Sequence, residues 1–186
     1  GLDPDDYVFL TSFTHHPFYK PFVLEIPDNW NWQTTYNVPL ADLQQVMSSA
    51  IDNGFTFAWG ADVSEPGFLR ADGLAIVPET DFADMDNARK KSLAVKPVKQ
   101  LRITQELRQE AFNNYDTQDD HGMHVIGKVI DQNSTLYYLV KNSWGPTSNE
   151  CDGYFYASES YMLYKTTTIM LHKKAIPAPL AKKLGL

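Results

Sequence analysis

Two apolar runs, at residues 123–130 and 136–142, stand on either side of the polar residues 131–134. Runs of this length separated by a short turn-forming sequence predict a β-hairpin. A hairpin places its two open ends side by side, and these ends carry His121 and Asn142, which are 21 residues apart. The pattern constrains the fold, because the structure has to bring these two side chains together at one end of the hairpin.

A histidine in contact with an asparagine has a specific chemical use. An imidazole that acts as a base needs a partner on its second ring nitrogen, which fixes the tautomer and the orientation of the ring. The amide oxygen of Asn142 is neutral, so it leaves a protonated His121 able to stabilise a thiolate. Trp144 is placed to shield this hydrogen bond from water, and Gly122 leaves room beside the base for a substrate backbone. Without the upstream histidine, residues 142–145 would indicate only a turn that closes the hairpin.

The rest of the chain predicts one long helix followed by mostly antiparallel strands. Gly60 is expected at a bulge, and the basic run at residues 89–91 is expected to be a solvated patch. The predicted segments are a strand at 7–13, a helix at 40–53, a buried strand at 55–63, loops at 64–100, a short polar surface helix at 104–114, and strands at 153–156 and 166–172.

The composition limits the classes of partner. Hydrophobic residues make up 43% and aromatic residues 13% of the chain, which is enough for a folded core. The net charge of −7 argues against nucleic acid as a main partner, because phosphate binding needs a basic face. No apolar run approaches the ~20 residues that span a bilayer, so no membrane partner is expected. These patterns leave the cellular compartment open.

The motifs at the hairpin resemble those of papain-like cysteine peptidases, most closely the bleomycin hydrolase and aminopeptidase C branch. In that family the catalytic histidine is followed by a small residue, an apolar residue and, six positions on, a glycine. Gly122, Met123 and Gly127 occupy these positions after the histidine of this chain. The family's Asn-Ser-Trp-Gly motif stands unbroken at residues 142–145. The two motifs together carry the resemblance.

The resemblance covers residues 36–172 and implies an α+β fold of the papain-like type, an antiparallel barrel-like half-domain with a few helices. Residues 58–63 are similar to the corresponding strand of the bleomycin hydrolase branch. Residues 1–35 are then an aromatic- and proline-rich lead-in segment, and residues 173–186 a short, partly extended C-terminal arm. In the branch resembled, such an arm lies in the active-site cleft and restricts cleavage to the substrate's N-terminus. The simpler interpretation of this segment is a frayed terminus.

The resemblance implies a thiol peptidase of the aminopeptidase type, with peptide substrates, no cofactor and a tendency to homo-oligomerise. His121 would be the general base and acid, Asn142 its orienting partner, and Trp144 and Gly122 supporting residues. The family's nucleophilic cysteine and oxyanion-hole glutamine are absent from the chain, so we expect them in an N-terminal half upstream of residue 1. The 186 residues alone are expected to be inactive. The alternative is a non-catalytic papain-like domain that acts as a binding or scaffolding module.

The one cysteine, Cys151, is not expected to be the nucleophile. It follows Asn142 in the chain and stands between Glu150 and Asp152, whose carboxylates oppose thiolate formation. An ordinary loop thiol is the simpler interpretation. A single thiol also excludes an internal disulfide.

The other histidines near these motifs have structural explanations. His124 is expected on the opposite face of the strand from His121, as a packed or hydrogen-bonded residue. The rings of His15 and His16 are expected to diverge on a strand, and no third ligand stands at a useful spacing. We therefore predict no metal site.

Overall fold

The computed structural model describes residues 3–186, which contain ten strands and five α-helices. The strands are β1 (Tyr7–Thr11), β2 (Lys20–Val23), β3 (Thr34–Asn37), β4 (Phe57–Ala61), β5 (Phe68–Leu69), β6 (Leu74–Ala75), β7 (His121–Ile130), β8 (Leu136–Lys141), β9 (Tyr154–Ser158) and β10 (Thr166–His172). The helices are α1 (Leu40–Asp52), α2 (Asn87–Ser92), α3 (Gln105–Asn113), α4 (Glu159–Lys165) and α5 (Ala178–Leu184). Short 3-10 helices lie at Pro4–Asp6, Phe82–Asp84 and Lys173–Ala175.

The ten strands form one mixed sheet in the order β2-β3-β1-β10-β4-β7-β8-β9-β6-β5. The β1–β3 and β6–β9 pairs are parallel, and the other neighbouring pairs are antiparallel. Helices and a mainly antiparallel sheet in one chain confirm the predicted α+β class. None of the helices in the described residues is long and apolar enough to cross a membrane.

Helix α1 packs on the sheet through one apolar stripe. Leu43, Val46, Met47 and Ala50 recur at helical spacing and are fully buried. In the same core, Trp59 of β4 is buried, and its indole N–H donates to the hydroxyl of Thr166 at 2.7 Å. A buried indole needs such a partner, so this bond fixes β4 against β10 in the centre of the sheet.

The predicted hairpin is present as β7 and β8. The carboxylate of Asp131 closes the turn by accepting bonds from the backbone N–H groups of Asn133 and Thr135, each at 2.8 Å. Strand β7 also pairs with β4, where Ala61 lies opposite His121. Pairing with the end of β4 therefore fixes the position of His121, the first residue of β7.

The prediction of loops throughout residues 64–100 is wrong. This region contains β5, β6 and α2, and α2 includes the basic residues 89–91. The carboxylate of Asp86 caps α2 by accepting from the backbone N–H of Arg89 at 2.7 Å. The basic residues are exposed, as predicted, but on a helix.

Helix α3 lies where the sequence predicts a helix, and Glu106 and Glu110 are exposed as predicted, but its other face is buried. Arg108 is fully buried, and its Nε and Nη1 donate to the carbonyl oxygens of Ser12 at 2.8 Å and Leu163 at 2.9 Å. Its guanidinium lies 4.5 Å from the centre of the Phe13 ring. Burial lowers the pKa of Arg108 to about 9, which is still above neutral pH, so the group stays charged. Hydrogen bonds to backbone carbonyl oxygens thus allow a charged side chain to be buried in the interior.

The C-terminal residues are helical, which corrects the expectation of a partly extended arm. Pro177 precedes α5, and Gly185 ends it with φ of 75°, a left-handed conformation that favours glycine. Leu180 and Leu184 are buried in the main core.

At the other end of the chain, β1 lies between β3 and β10 in the sheet. The division into a lead-in segment, a barrel domain and an arm stays a prediction.

Candidate active site

His121 and Asn142 meet at the open end of the hairpin. The Nε2 atom of His121 lies 2.8 Å from Oδ1 of Asn142, so the predicted contact is confirmed. The same atom accepts from the backbone N–H of Ser143 at 2.7 Å. An amide nitrogen could not accept this bond, so the atom that faces the ring is the amide oxygen. Nε2 must then be the protonated nitrogen of a neutral imidazole. Nδ1 is left as the nitrogen that can take a proton.

Asn142 is itself held firmly, because only 7% of its surface is exposed and its backbone N–H donates to the carbonyl of Gly153 at 3.2 Å. Within residues 3–186 its Nδ2 is buried without a hydrogen-bond partner. The amide therefore binds the histidine through its oxygen, and its nitrogen is buried.

Trp144 packs against the pair, as predicted. The centre of its ring system lies 4.7 Å from that of His121, at an interplanar angle of 32°. Phe68 and Phe155 pack edge-on against the indole from the core, with 6.1 and 6.2 Å between the ring centres. The guanidinium of Arg70 lies 4.3 Å from the indole ring, a cation–π contact that no sequence motif indicates. The indole is thus fixed by neighbours on several sides and holds the imidazole in place.

Asp120, the residue before the histidine, ties β7 to the chain that leaves β4. Its carboxylate accepts from the backbone N–H groups of Val63 at 2.9 Å and Ser64 at 3.2 Å, and also from the Ser64 hydroxyl. These bonds fix the start of β7 and hence the position of His121. The sequence places Asp120 in the motif but gives no indication of this bridging role.

A second carboxylate strengthens the same connection. Asp62 accepts from the backbone N–H of Gln118 and of Ser64, each at 2.9 Å. Burial raises the pKa of Asp62, and these hydrogen bonds and the nearby Lys165 partly offset that effect. The segment before β7 is therefore connected to the segment after β4 through two carboxylates.

Cys151 lies in the turn that follows the Asn-Ser-Trp-Gly motif. Its Sγ is 3.7 Å from the carbonyl oxygen of Asp72, and its side chain contacts Gly73. The contacts of the thiol in the described residues are thus with the connection between β5 and β6. This arrangement is that of a loop thiol, as the sequence predicts.

His124 is exposed, and its Nε2 lies 2.8 Å from the hydroxyl of Thr56. The prediction of a hydrogen-bonded strand histidine is confirmed. Its side chain points away from the face that carries His121, because three positions separate the two residues along β7.

The prediction that His15 and His16 diverge is wrong. Their Nε2 atoms lie 3.5 and 3.0 Å from the two carboxylate oxygens of Glu25. The residues sit in a turn after β1 rather than in a strand, so alternation does not separate the rings. The Gln109 amide, oriented by its bond from the Thr14 N–H, donates to Nδ1 of His15 at 3.2 Å. His15 therefore carries its proton on Nε2, the nitrogen that faces Glu25. The expectation that no third ligand lies near the two histidines is also wrong, because Glu25 brings a carboxylate to both rings.

The sheet order, the histidine–asparagine pair and the overlying tryptophan define a papain-like fold. PepW from Lactobacillus rhamnosis superposes on the whole chain with a TM-score of 0.70 and 19% identity, and the chain covers 39% of it. Aminopeptidase E of Lactobacillus helveticus is 23% identical over 177 residues, which are 94% of this chain and 37% of that protein. Procathepsin L 3 of Tenebrio molitor matches 67% of the chain and 31% of its own length at 16% identity, with a TM-score of 0.38.

The Peptidase C1-like family matches residues 1–185. The chain belongs to this family. It spans less than two fifths of the length of Aminopeptidase E and of PepW.

Proposed function

We propose that this chain is the part of a cysteine peptidase of the aminopeptidase type that supplies the general base. The observation that carries the proposal is the 2.8 Å contact between Nε2 of His121 and Oδ1 of Asn142. That contact orients the ring and leaves Nδ1 available for proton transfer. The family membership supports a thiol nucleophile as its partner.

In the proposed reaction, Nδ1 of His121 takes the proton of a cysteine thiol, and the imidazolium stabilises the thiolate. The thiolate attacks the peptide carbonyl, and Nδ1–H then protonates the departing amine. Water, deprotonated by the same nitrogen, hydrolyses the acyl-enzyme and releases the thiol. Asn142 holds the ring throughout, and Trp144 covers it. A Cβ atom on Gly122 would meet no atom within 4 Å, so the space beside the base is open to a substrate.

The nucleophile in this proposal comes from a segment that the 186 residues do not include. Cys151 contacts Asp72 and Gly73, and the relatives are more than twice as long as the chain. Trp30 and Trp32 support a packing partner, because they expose 81% and 75% of their surface. Large exposed aromatic side chains are common where another chain segment packs.

The first test compares the complete protein with residues 1–186 alone. The complete protein is expected to hydrolyse leucine aminomethylcoumarin, and iodoacetamide should abolish the activity by alkylating the nucleophilic thiol. Residues 1–186 alone should give no turnover. The Cys151→Ser variant of the complete protein should keep the wild-type rate, and fluorescence release measures all four reactions.

Two results would contradict the proposal in different ways. Turnover by residues 1–186 that is lost in Cys151→Ala would identify Cys151 as the nucleophile. A folded complete protein that hydrolyses no aminoacyl or peptidyl substrate would favour the alternative, a papain-like binding or scaffolding module.

A further inference from the structure

Two hollows that share lining residues lie along the sheet. The first, of about 270 Å³, reaches Gly60 and Gly122, the residue next to His121. The second, of about 280 Å³, reaches Asp119 and Trp30. Phe9 and Thr168 line both hollows. Because the two hollows share these residues, we call them together the Asp119 groove, whose lining extends from Gly122 to Asp119.

Two glycines open this groove at the end near the base. Gly60 of β4 lies directly opposite Gly122 of β7. A Cβ atom on Gly60 would lie 3.2 Å from Oδ1 of Asp119 and 2.9 Å from the hydroxyl of Thr168. The carboxylate of Asp119, two residues before His121 in the chain, is therefore immediately beside the glycine pair.

Asp119 is a carboxylate in an environment that disfavours its charge. Burial raises its pKa, and the nearby Asp28 and Asp120 raise it further, while a hydrogen bond from the hydroxyl of Thr167 lowers it. Among residues 3–186 it forms no ion pair with a lysine, arginine or histidine. A partly buried carboxylate without a cation is costly, and a positively charged ligand would remove that cost.

The walls of the groove suit a cationic ligand. Phe9 and Trp30 present aromatic surface, which attracts ammonium groups. Lower local polarity strengthens the attraction between a carboxylate and a cation. Asp28 adds a second negative charge at the exposed rim.

We propose that Asp119 binds an ammonium group of the substrate and so determines specificity for a positive charge on the N-terminal side of the scissile bond. The inference rests on the proposed peptidase function. The ammonium is either the α-amino group of a free peptide N-terminus or the side chain of a lysine one residue upstream. Both sources present the same chemistry to the carboxylate, and matched substrates separate them.

The experiment measures kcat/KM of the complete protein on three aminomethylcoumarin substrates: leucyl, acetyl-leucyl and acetyl-lysyl-leucyl. The Asp119→Asn variant keeps the shape of the side chain and removes its charge. We expect a roughly 10- to 100-fold lower kcat/KM on the substrate that carries the recognised ammonium, since a hydrogen bond to a charged group is worth that much. The acetyl-leucyl substrate has no ammonium, so the wild-type protein and Asp119→Asn should hydrolyse it at the same low rate. Asp28→Asn makes the same charge change at the rim and should have a smaller effect.

Each outcome decides something. A loss confined to the leucyl substrate assigns the α-ammonium, and one confined to the acetyl-lysyl substrate assigns the basic side chain. Equal changes on all three substrates, no change, or equal losses from Asp28→Asn and Asp119→Asn would overturn the inference while leaving the peptidase function intact. A wild-type protein inactive on all three would defeat the proposed function, and this inference with it. Thermal unfolding checks each variant, and Asp119→Ser replaces Asp119→Asn if that variant does not fold.

Discussion

The His121→Ala variant of the complete protein is expected to lose hydrolysis almost entirely, whereas Asn142→Ala should only weaken it. The imidazole would stabilise the thiolate and also protonate the leaving amine, so its loss removes two functions. General acid–base roles contribute roughly 10²–10⁴-fold to rate. Asn142 orients a ring that Trp144 also contacts at 4.7 Å, so part of the orientation should survive its removal. Steady-state kcat on leucine aminomethylcoumarin measures both effects.

His124→Ala is the matched control for this experiment. It removes an imidazole from the same strand, but one that is exposed and bonded to Thr56. It should alter the free energy of unfolding slightly and leave the rate of the folded protein near the wild-type value. Near-normal turnover by His121→Ala, together with an inactive but folded His124→Ala, would assign the base to the other histidine.

The elements that sequence reasoning placed correctly are those whose signals are local. The hairpin follows from two apolar runs and a turn, and the contact between His121 and Asn142 follows from the geometry of any hairpin with these ends. Helix α1 follows from an apolar stripe that the sheet then buries. The catalytic roles of the pair come from resemblance, and they stay predictions until the kinetic experiments are done.

The features that sequence reasoning missed depend on contacts between distant segments. Asp120 bridges to residues 57 and 56 positions away in the chain, and a carboxylate before a histidine does not indicate this. His15 and His16 converge because they lie in a turn whose partner, Glu25, comes from another segment. The groove at Asp119 joins β1, β4, β7 and β10, which the sequence does not show to be neighbours.

Arg108 shows this most clearly, because the polarity of α3 predicts a helix on the surface. Six of the nine residues of α3 have charged or amide side chains, five of them within its first six positions, and this pattern is typical of an exposed helix. The pattern cannot reveal that the carbonyls of Ser12 and Leu163 lie inside the protein and need donors. A guanidinium is able to supply several donors at once, which makes it suited to join these segments.

Arg108→Met should therefore destabilise the protein strongly, by about 2–5 kcal/mol in the free energy of unfolding. Methionine fills much of the volume but removes the Arg108 donors to two buried carbonyls, each loss costing about 1–3 kcal/mol. The carbonyl of Ser12 then keeps only the longer bond from the Gln105 amide, at 3.4 Å. Urea titration of residues 1–186, followed by tryptophan fluorescence, measures the change wherever the isolated chain folds; otherwise the complete protein is used.

Arg102→Met is the matched control, because Arg102 is an exposed arginine shortly before α3. Surface substitutions of this kind usually change stability by less than about 0.5 kcal/mol. If the two variants unfold at the same urea concentration with the same slope, the bonds from Arg108 to the carbonyls of Ser12 and Leu163 contribute nothing measurable. A large loss in Arg108→Met alone would show that α3 is anchored through its one buried charge, and that this charge joins β1 to the end of α4.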